Sequence, residues 1–281
     1  MENQQTNPLK AYFRKPGIWI KLPSGGRGYN KKPSDLNDMG EIPVYPMTAK
    51  DELMLKNADA LLNGNAIVDL MNSCAPSIKD PLNMPSGDLD AIIVAIKRCT
   101  YGEKLDVSTT CDCAEGTRND VSLDLNGIIA QIKDLQDLPP VEHDSGVKVF
   151  IKPITVKHLL DLNWVQYEQI RNIQTAEQRN ASEKEKVDIM SKSYEALTDQ
   201  SIKVVAASID TVLLPDGVTV SDTKIIEEWV RDLSRQEYKK LEETIMNTNK
   251  FGVQKEFDVQ CQKCSKIYKS SLDLNPTTFF A

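Results

Sequence analysis

Ser122-Leu123-Asp124-Leu125-Asn126 and Ser271-Leu272-Asp273-Leu274-Asn275 are the same pentapeptide, and each closes a segment that carries two cysteines. The first follows Cys111 and Cys113, the second follows Cys261 and Cys264, and each segment starts on an Asp-Val pair, Asp106-Val107 and Asp258-Val259. The repeated layout predicts two hairpins, over residues 104–127 and 256–281, in which a short turn bearing two thiols leads into a returning SLDLN strand. Two such hairpins facing each other supply four thiolates, the ligand set of a tetrahedral structural zinc site. The chain reads as a zinc ribbon cut in two by an insertion, and the expected fold class is α+β and mostly helical.

Cys261-Gln262-Lys263-Cys264 has the usual C-x2-C spacing of a zinc knuckle, whereas Cys111-Asp112-Cys113 is one residue shorter. Free thiols or a disulfide are the alternatives, and zinc is favoured because the flanking sequences duplicate along with the cysteines. A catalytic zinc keeps one position open for water and usually takes His or carboxylate ligands. Four sulfurs leave no such vacancy, so Zn(2+) is expected as a structural cofactor whose binding adds to folding free energy. The other two of the six cysteines, Cys74 and Cys99, lie in apolar helical patterns and are expected as buried thiols.

A chain of 281 residues with 40% hydrophobic content can bury two modest cores. No run approaches the ~18 apolar residues of a membrane span, and Met1–Pro8 is polar, without the apolar core of a signal peptide. The expectation is a protein made and kept inside a cell, where paired thiols bind metal more often than they form disulfides. Residues 1–33 carry seven Lys/Arg against one Glu, so the net charge of −7 hides a basic arm on an acidic body.

Four regions are expected: an extended basic arm over 1–46, a helical unit with the first cysteine hairpin over 47–127, a helical insertion over 128–255, and the second hairpin over 256–281. In the arm, Ile18, Ile20 and Leu22 alternate with Trp19 and Lys21 as in a short edge strand that lies on something else. Thr48 and Asp51 are spaced as a capping box, and a helix breaks at Gly64 before Ala66-Ile67-Val68. The clearest helix starts near Ser86, aligns Leu89, Ile92, Ile93 and Ile96, and stops at Gly102. After the Pro139-Pro140 linker, Ser182 and Glu185 cap a long helix carrying Val187, Met190, Tyr194 and Leu197, a stripe expected to serve as core, with a partner helix as the alternative. Val212-Leu213-Leu214 and Val218-Thr219-Val220 read as a hairpin around Pro215-Asp216-Gly217. Two further helices follow, one carrying Ile225, Trp229 and Leu233, the other capped by Ser234 and Glu237 and carrying Tyr238, Leu241 and Ile245.

Little of this is catalytic. The two histidines, His143 in an acidic linker and His158 near a helix start, read as surface or capping residues, and no nucleophile elbow, HExxH or Walker sequence occurs. Ser24-Gly25-Gly26-Arg27-Gly28 reads as a turn, because it lacks the Gly-Lys-Ser/Thr ending of a phosphate loop. The aromatic and basic residues of the arm could stack on bases and contact phosphates or dock on an acidic neighbouring subunit. The acidic body opposes nucleic-acid affinity. Phe13, Arg14 and Trp19 are therefore expected to anchor a protein interface, with Phe279 and Phe280 forming a second apolar surface near the metal site.

The combination resembles the T4-like bacteriophage baseplate proteins that act in building the central hub of contractile tails. The stretches that carry the likeness are Asn7-Pro8-Leu9-Lys10 with Tyr12-Phe13-Arg14, Ile18-Trp19-Ile20-Lys21-Leu22-Pro23-Ser24-Gly25-Gly26, Asp59-Ala60-Leu61-Leu62-Asn63-Gly64 and Ile78-Lys79-Asp80-Pro81. They continue in Asp88-Leu89-Asp90-Ala91-Ile92, Thr100-Tyr101-Gly102-Glu103 and the closing Asn275-Pro276-Thr277-Thr278-Phe279-Phe280. The family's usual first knuckle has two residues between its cysteines, and Cys111-Asp112-Cys113 departs from that. The resemblance implies a non-enzymatic, late virion-assembly role, as a hub component or as an assembly factor that prepares the hub and leaves. It further implies other baseplate or hub proteins as partners, and a location in the infected-cell cytoplasm or the virion tail baseplate. The reading from a different class is a zinc-ribbon accessory factor associated with nucleic acid.

Overall fold

The computed structural model describes residues 9, 12–56, 64–113, 116–179 and 182–280. Asn7, Pro8, Lys10 and the stretch from Asp59 to Asn63 lie outside the described residues.

The main core is built around one helix. Helix α3 (Ser86–Tyr101) follows α1 (Ala49–Leu55) and α2 (Asn65–Cys74), and its Ala91, Ile92, Ile93, Val94, Ala95 and Ile96 are all fully buried. A helix apolar on every side must be enclosed on every side. Strand β1 (Ile18–Lys21) and its antiparallel mate β2 (Glu41–Val44) form part of that enclosure, with Ile20 opposite Ile42 and Ile18 opposite Val44. The period-two pattern turns Ile20 and Leu22 into the core and leaves Trp19 and Lys21 outside.

This corrects the expected arm over 1–46, because residues 18–44 are part of the body. The mate of Ile18–Lys21 was Glu41-Ile42-Pro43-Val44, whose proline hid a strand that tolerates it opposite exposed Trp19. The basic residues are likewise used internally. Arg14 donates to the carbonyls of Pro46 and Ser73, both at 2.5 Å, and Arg27 reaches the Leu135 carbonyl and Asp137.

The Ser24–Gly28 turn covers a buried carboxylate. Asp88 is fully buried and accepts from the Ser24 N–H at 2.8 Å, the Ser24 hydroxyl at 2.5 Å and the Tyr29 hydroxyl at 2.8 Å. Burial pushes the Asp88 carboxyl up to about 6, and these three donors only partly offset it.

The insertion expected to be helical contains a second core with a sheet. Strands β5 (Val141–Glu142), β6 (Lys148–Ile151), β7 (Ile209–Leu213) and β8 (Thr219–Val220) form a four-stranded antiparallel sheet in sequence order. Packed with it are the end of α6 (Glu183–Ala207) through Val205 and Ala206, α7 (Thr223–Arg231) through Ile226 and Val230, and α8 (Arg235–Thr248) through Leu241 and Ile245. The Leu213–Val220 hairpin is where the sequence places it, whereas Lys148–Ile151 is too short to show as a strand before its neighbours are known. On α7 the buried face is Ile226 and Val230, while Ile225 points to solvent. The capping boxes at Thr48, Ser182 and Ser234 all form.

Helices α5 (Val156–Gln178) and α6 form an antiparallel pair. Val187, Met190 and Tyr194 lie exposed rather than in a core; the half-buried or buried positions of the pair include Leu162, Val165 and Ile173 on α5 and Ile189, Ser193, Ala196 and Leu197 on α6. Two backbone bridges tie the second core to the first, Pro85 to Thr155 and Lys133 to Gly252. At the latter the chains touch: a Cβ on Gly252 would stand 2.9 Å from the Gly87 carbonyl oxygen, and the φ of +89° already favours glycine.

Candidate metal centre

Strands β3 (Lys104–Thr110) and β4 (Arg118–Asp124) pair from Lys104 opposite Asp124 to Thr110 opposite Arg118. Strands β9 (Glu256–Gln260) and β10 (Ile267–Ser271) pair from Glu256 opposite Ser271 to Gln260 opposite Ile267. Each tip closes in the same manner. The Cys111 N–H donates to Thr117 O and the Cys261 N–H to Lys266 O, both at 2.9 Å, and the residue before each acceptor is left-handed, Gly116 at φ 56° and Ser265 at φ 57°.

The duplicated pentapeptide proves to be an exit from each hairpin more than a strand. Only Ser122–Asp124 and Ser271 are strand residues. The aspartate then turns the chain: Asp124 accepts from the Asn126 N–H and Asp273 from the Asn275 N–H, each at 3.0 Å. Short helices follow, α4 (Leu125–Ala130) and α9 (Pro276–Phe279). Leu125, Leu272 and Leu274 are driven into the main core. The repeat thus encodes a turn that anchors each hairpin. The two Asp-Val pairs are not equivalent, since the residue two before Cys261 is Val259 and the residue two before Cys111 is Thr109, both buried.

Polar side chains register one hairpin against the other. Asn119, on the inward face of β4, accepts from the Gln262 N–H at 2.9 Å and donates to Tyr268 Oη at 3.1 Å and to Thr117 O at 3.0 Å. Thr109 Oγ1 lies 2.6 Å from the same Tyr268 hydroxyl. The cysteine search overlooked Asn119 and Tyr268; the signal available was a polar residue in phase with Val121 and Leu123, on the side of the strand that faces inward. Asn119→Ala removes three hydrogen bonds made by a buried side chain and is expected to cost about 2 kcal/mol, seen as a lower urea midpoint. An unchanged midpoint would mean that the hairpins are registered by something else.

All four sulfurs of Cys111, Cys113, Cys261 and Cys264 lie within 4.8 Å of one another, with Cys111 and Cys264 at 3.8 Å. Bonds of ~2.3 Å in a tetrahedron imply a sulfur–sulfur edge of about 3.8 Å, so the cluster fits a metal of zinc's size after small adjustments. Its electrostatics point the same way. The Thr117 hydroxyl and N–H hold the Cys113 thiol down to about 6, and the N–H groups of Cys264 and Lys263 lower Cys261, whereas burial pushes Cys111 up to about 12. Thiolates stabilised at some positions of a partly buried cluster and penalised at another form a site that a bound cation would complete. Cys74 is buried and Cys99 partly so, and neither belongs to the cluster.

The expected partner-binding residues divide. Phe13 and Trp19 are 57% and 44% exposed, while Arg14 is engaged by Pro46, Ser73 and, at 3.7 Å, by Asp51. Phe279 is 5% exposed and part of the main core, because α9 folds back beneath Lys97, which lies 5.7 Å from its ring; Phe280 packs half-buried beside it. The expected apolar surface at 279–280 is therefore largely interior. His143 contacts Glu237 and Ser145, and His158 contacts Thr155. No described helix is long and apolar enough to cross a membrane.

No curated protein and no solved structure matches the chain. A family model described as T4 bacteriophage base plate protein matches residues 16–281, a span that takes in β1, both cysteine hairpins and everything between them. The chain belongs to that baseplate family.

Proposed function

We propose that this baseplate protein acts in the central hub of a contractile phage tail, as a hub component or as a factor in hub assembly, and that it works without catalysis. The observation that carries the reading is the convergence of four thiols from hairpins at opposite ends of a long insertion, within a chain of the baseplate family. Cys111, Cys113, Cys261 and Cys264 would hold a structural Zn(2+), which supplies a cross-link and no reaction. The hub assignment is supported by the sequence resemblance, and exposed Phe13 and Trp19 offer contacts to neighbouring tail proteins.

Phe13→Ser with Trp19→Ser tests the interface more cleanly than deleting residues 1–30, because deletion would remove Ile20 and Leu22 from the core. The double variant is expected to fold normally and to lose salt-tolerant co-purification with hub proteins. Mass spectrometry of hub intermediates and finished tails locates the protein. Absence from both, or retention on DNA that falls steeply with salt, would overturn the hub reading.

A further inference from the structure

We infer that the free edge of β3 docks an extended segment of another protein, whose backbone adds to the hairpin as a third strand and whose side-chain carboxylate pairs with Lys97. The phase of the hairpin is set at both ends, where the Leu125 N–H donates to Glu103 O at 2.8 Å and the Cys111 N–H to Thr117 O at 2.9 Å. Odd-numbered residues of β3 therefore bond to β4, and the peptide groups of Lys104, Asp106 and Ser108 point the other way. No strand meets them there, because β3 and β4 make a two-stranded sheet. The edge runs seven residues without a proline or a bulge, devices that ordinarily close one.

A cleft of about 600 Å³ lies along this edge, between residues 104–108 and residues 271–273, and Lys97 and Phe280 also line it. The Lys97 ammonium stands 4.5 Å from the centre of the Tyr101 ring, and 5.7 and 5.9 Å from those of Phe279 and Phe280. The Tyr101 ring is pinned by its hydroxyl, which donates to Glu52 at 2.9 Å. Among the described residues Lys97 has neither an ion pair nor a hydrogen bond, and burial, with no carboxylate to oppose it, pulls its pKa down. The other charges of the cleft are accounted for. Asp273 accepts from the Asn275 N–H at 3.0 Å and the Thr278 hydroxyl at 2.7 Å, and Lys104 and Asp106 are exposed and opposite in sign. One positive charge is left over, partly desolvated against three rings.

These features select the occupant. A bare strand edge takes alternating N–H and C=O groups, which an extended peptide has and a nucleic acid lacks. An unpaired ammonium in partly apolar surroundings takes a carboxylate. The site lies apart from Phe13 and Trp19, and the inference does not rest on the hub reading.

A displayed library of random heptapeptides, selected on the full chain, should yield sequences rich in Val, Ile or Thr, carrying an Asp or Glu and lacking proline. Replacing that acid by its amide in the best peptide should weaken binding about tenfold. Lys97→Gln should weaken the acidic peptide equally and leave the amide peptide unaffected, while Lys97→Arg restores most of the affinity. Asp106→Pro, which deletes an edge N–H, should weaken binding about tenfold, whereas Asp106→Ala keeps the N–H and should bind normally. If Asp106→Pro folds poorly by circular dichroism, N-methylation of alternate peptide amides reads the same edge: one set of methyls abolishes binding and the other spares it. A library that yields no binder, or binders indifferent to Lys97 and to proline at position 106, overturns the proposal. So does a Lys97→Gln chain that melts early yet binds the acidic peptide unchanged, since the ammonium would then serve the chain's own fold.

Discussion

Cys264→Ser should reduce bound zinc from one ion per chain to well below that and lower the melting temperature by about 10 °C or more. Cys264 is exposed, so its loss opens no cavity, and the side-chain contacts binding the two hairpins are a handful of hydrogen bonds around Asn119 and Tyr268. A structural zinc site contributes on the order of 10 kcal/mol in small domains, and removing one ligand forfeits a good part of it. With roughly 2–4 °C lost per kcal/mol at this size, a deficit of about 4 kcal/mol gives the stated shift. Elemental analysis and calorimetry read the two quantities separately. Zinc-free protein whose stability is indifferent to Cys264→Ser would leave free thiols held by strand pairing alone.

Asp88→Ala should be as damaging at a place without metal. It removes the acceptor for the Ser24 N–H, the Ser24 hydroxyl and the Tyr29 hydroxyl. At about 1–3 kcal/mol for each buried donor left unpaired, the loss is on the order of 4 kcal/mol. Asp88→Asn keeps the shape and cannot titrate. Because the folded state raises this carboxyl from 3.8 to about 6, it binds the proton more tightly than the unfolded chain does. The resulting stabilisation is fully present below about pH 4 and is lost as pH rises through 6, amounting to roughly 3 kcal/mol across the window. Asp120, Glu185, Asp199 and Glu237 are shifted downward and favour the folded state at higher pH, so the signal lies in the difference between wild type and Asp88→Asn. Parallel curves would show that Asp88 does not titrate in this window.

What could be read from the sequence alone follows from how local each signal is. The four cysteines were legible because a duplicated peptide marks two places that perform the same task, and the three capping boxes because Ser or Thr and an acid three residues on satisfy each other within one turn. The α3 stripe was legible because 16 residues contain several helical turns. The β1–β2 pairing was not, since a four-residue strand acquires meaning only from a mate 20 residues away, here disguised by Pro43. The four-stranded sheet failed for the same reason at greater separation, with β6 and β7 held apart by both long helices. The stripe of Val187, Met190 and Tyr194 was expected as core and lies exposed, because periodicity reports that a face is apolar and says nothing about what covers it. Asp88 stayed hidden because a carboxylate in the first turn of a helix is ordinarily a solvated residue.

The clip between the two cysteine hairpins also sets a clock. Cys111 and Cys113 leave the ribosome about 150 residues before Cys264, an interval of roughly 8–30 s at ~5–20 residues per second. Throughout it the first hairpin holds half a ligand set, and the part of the core that receives Leu272, Leu274 and Phe279 stands open. The second core, whose residues fall between the two hairpins, can fold during that wait, but the first cannot be sealed until Leu272, Leu274 and Phe279 arrive. Capture of the proposed zinc would then have to await the second hairpin, and a chain lacking Cys261 and Cys264 would keep only half of the ligand set.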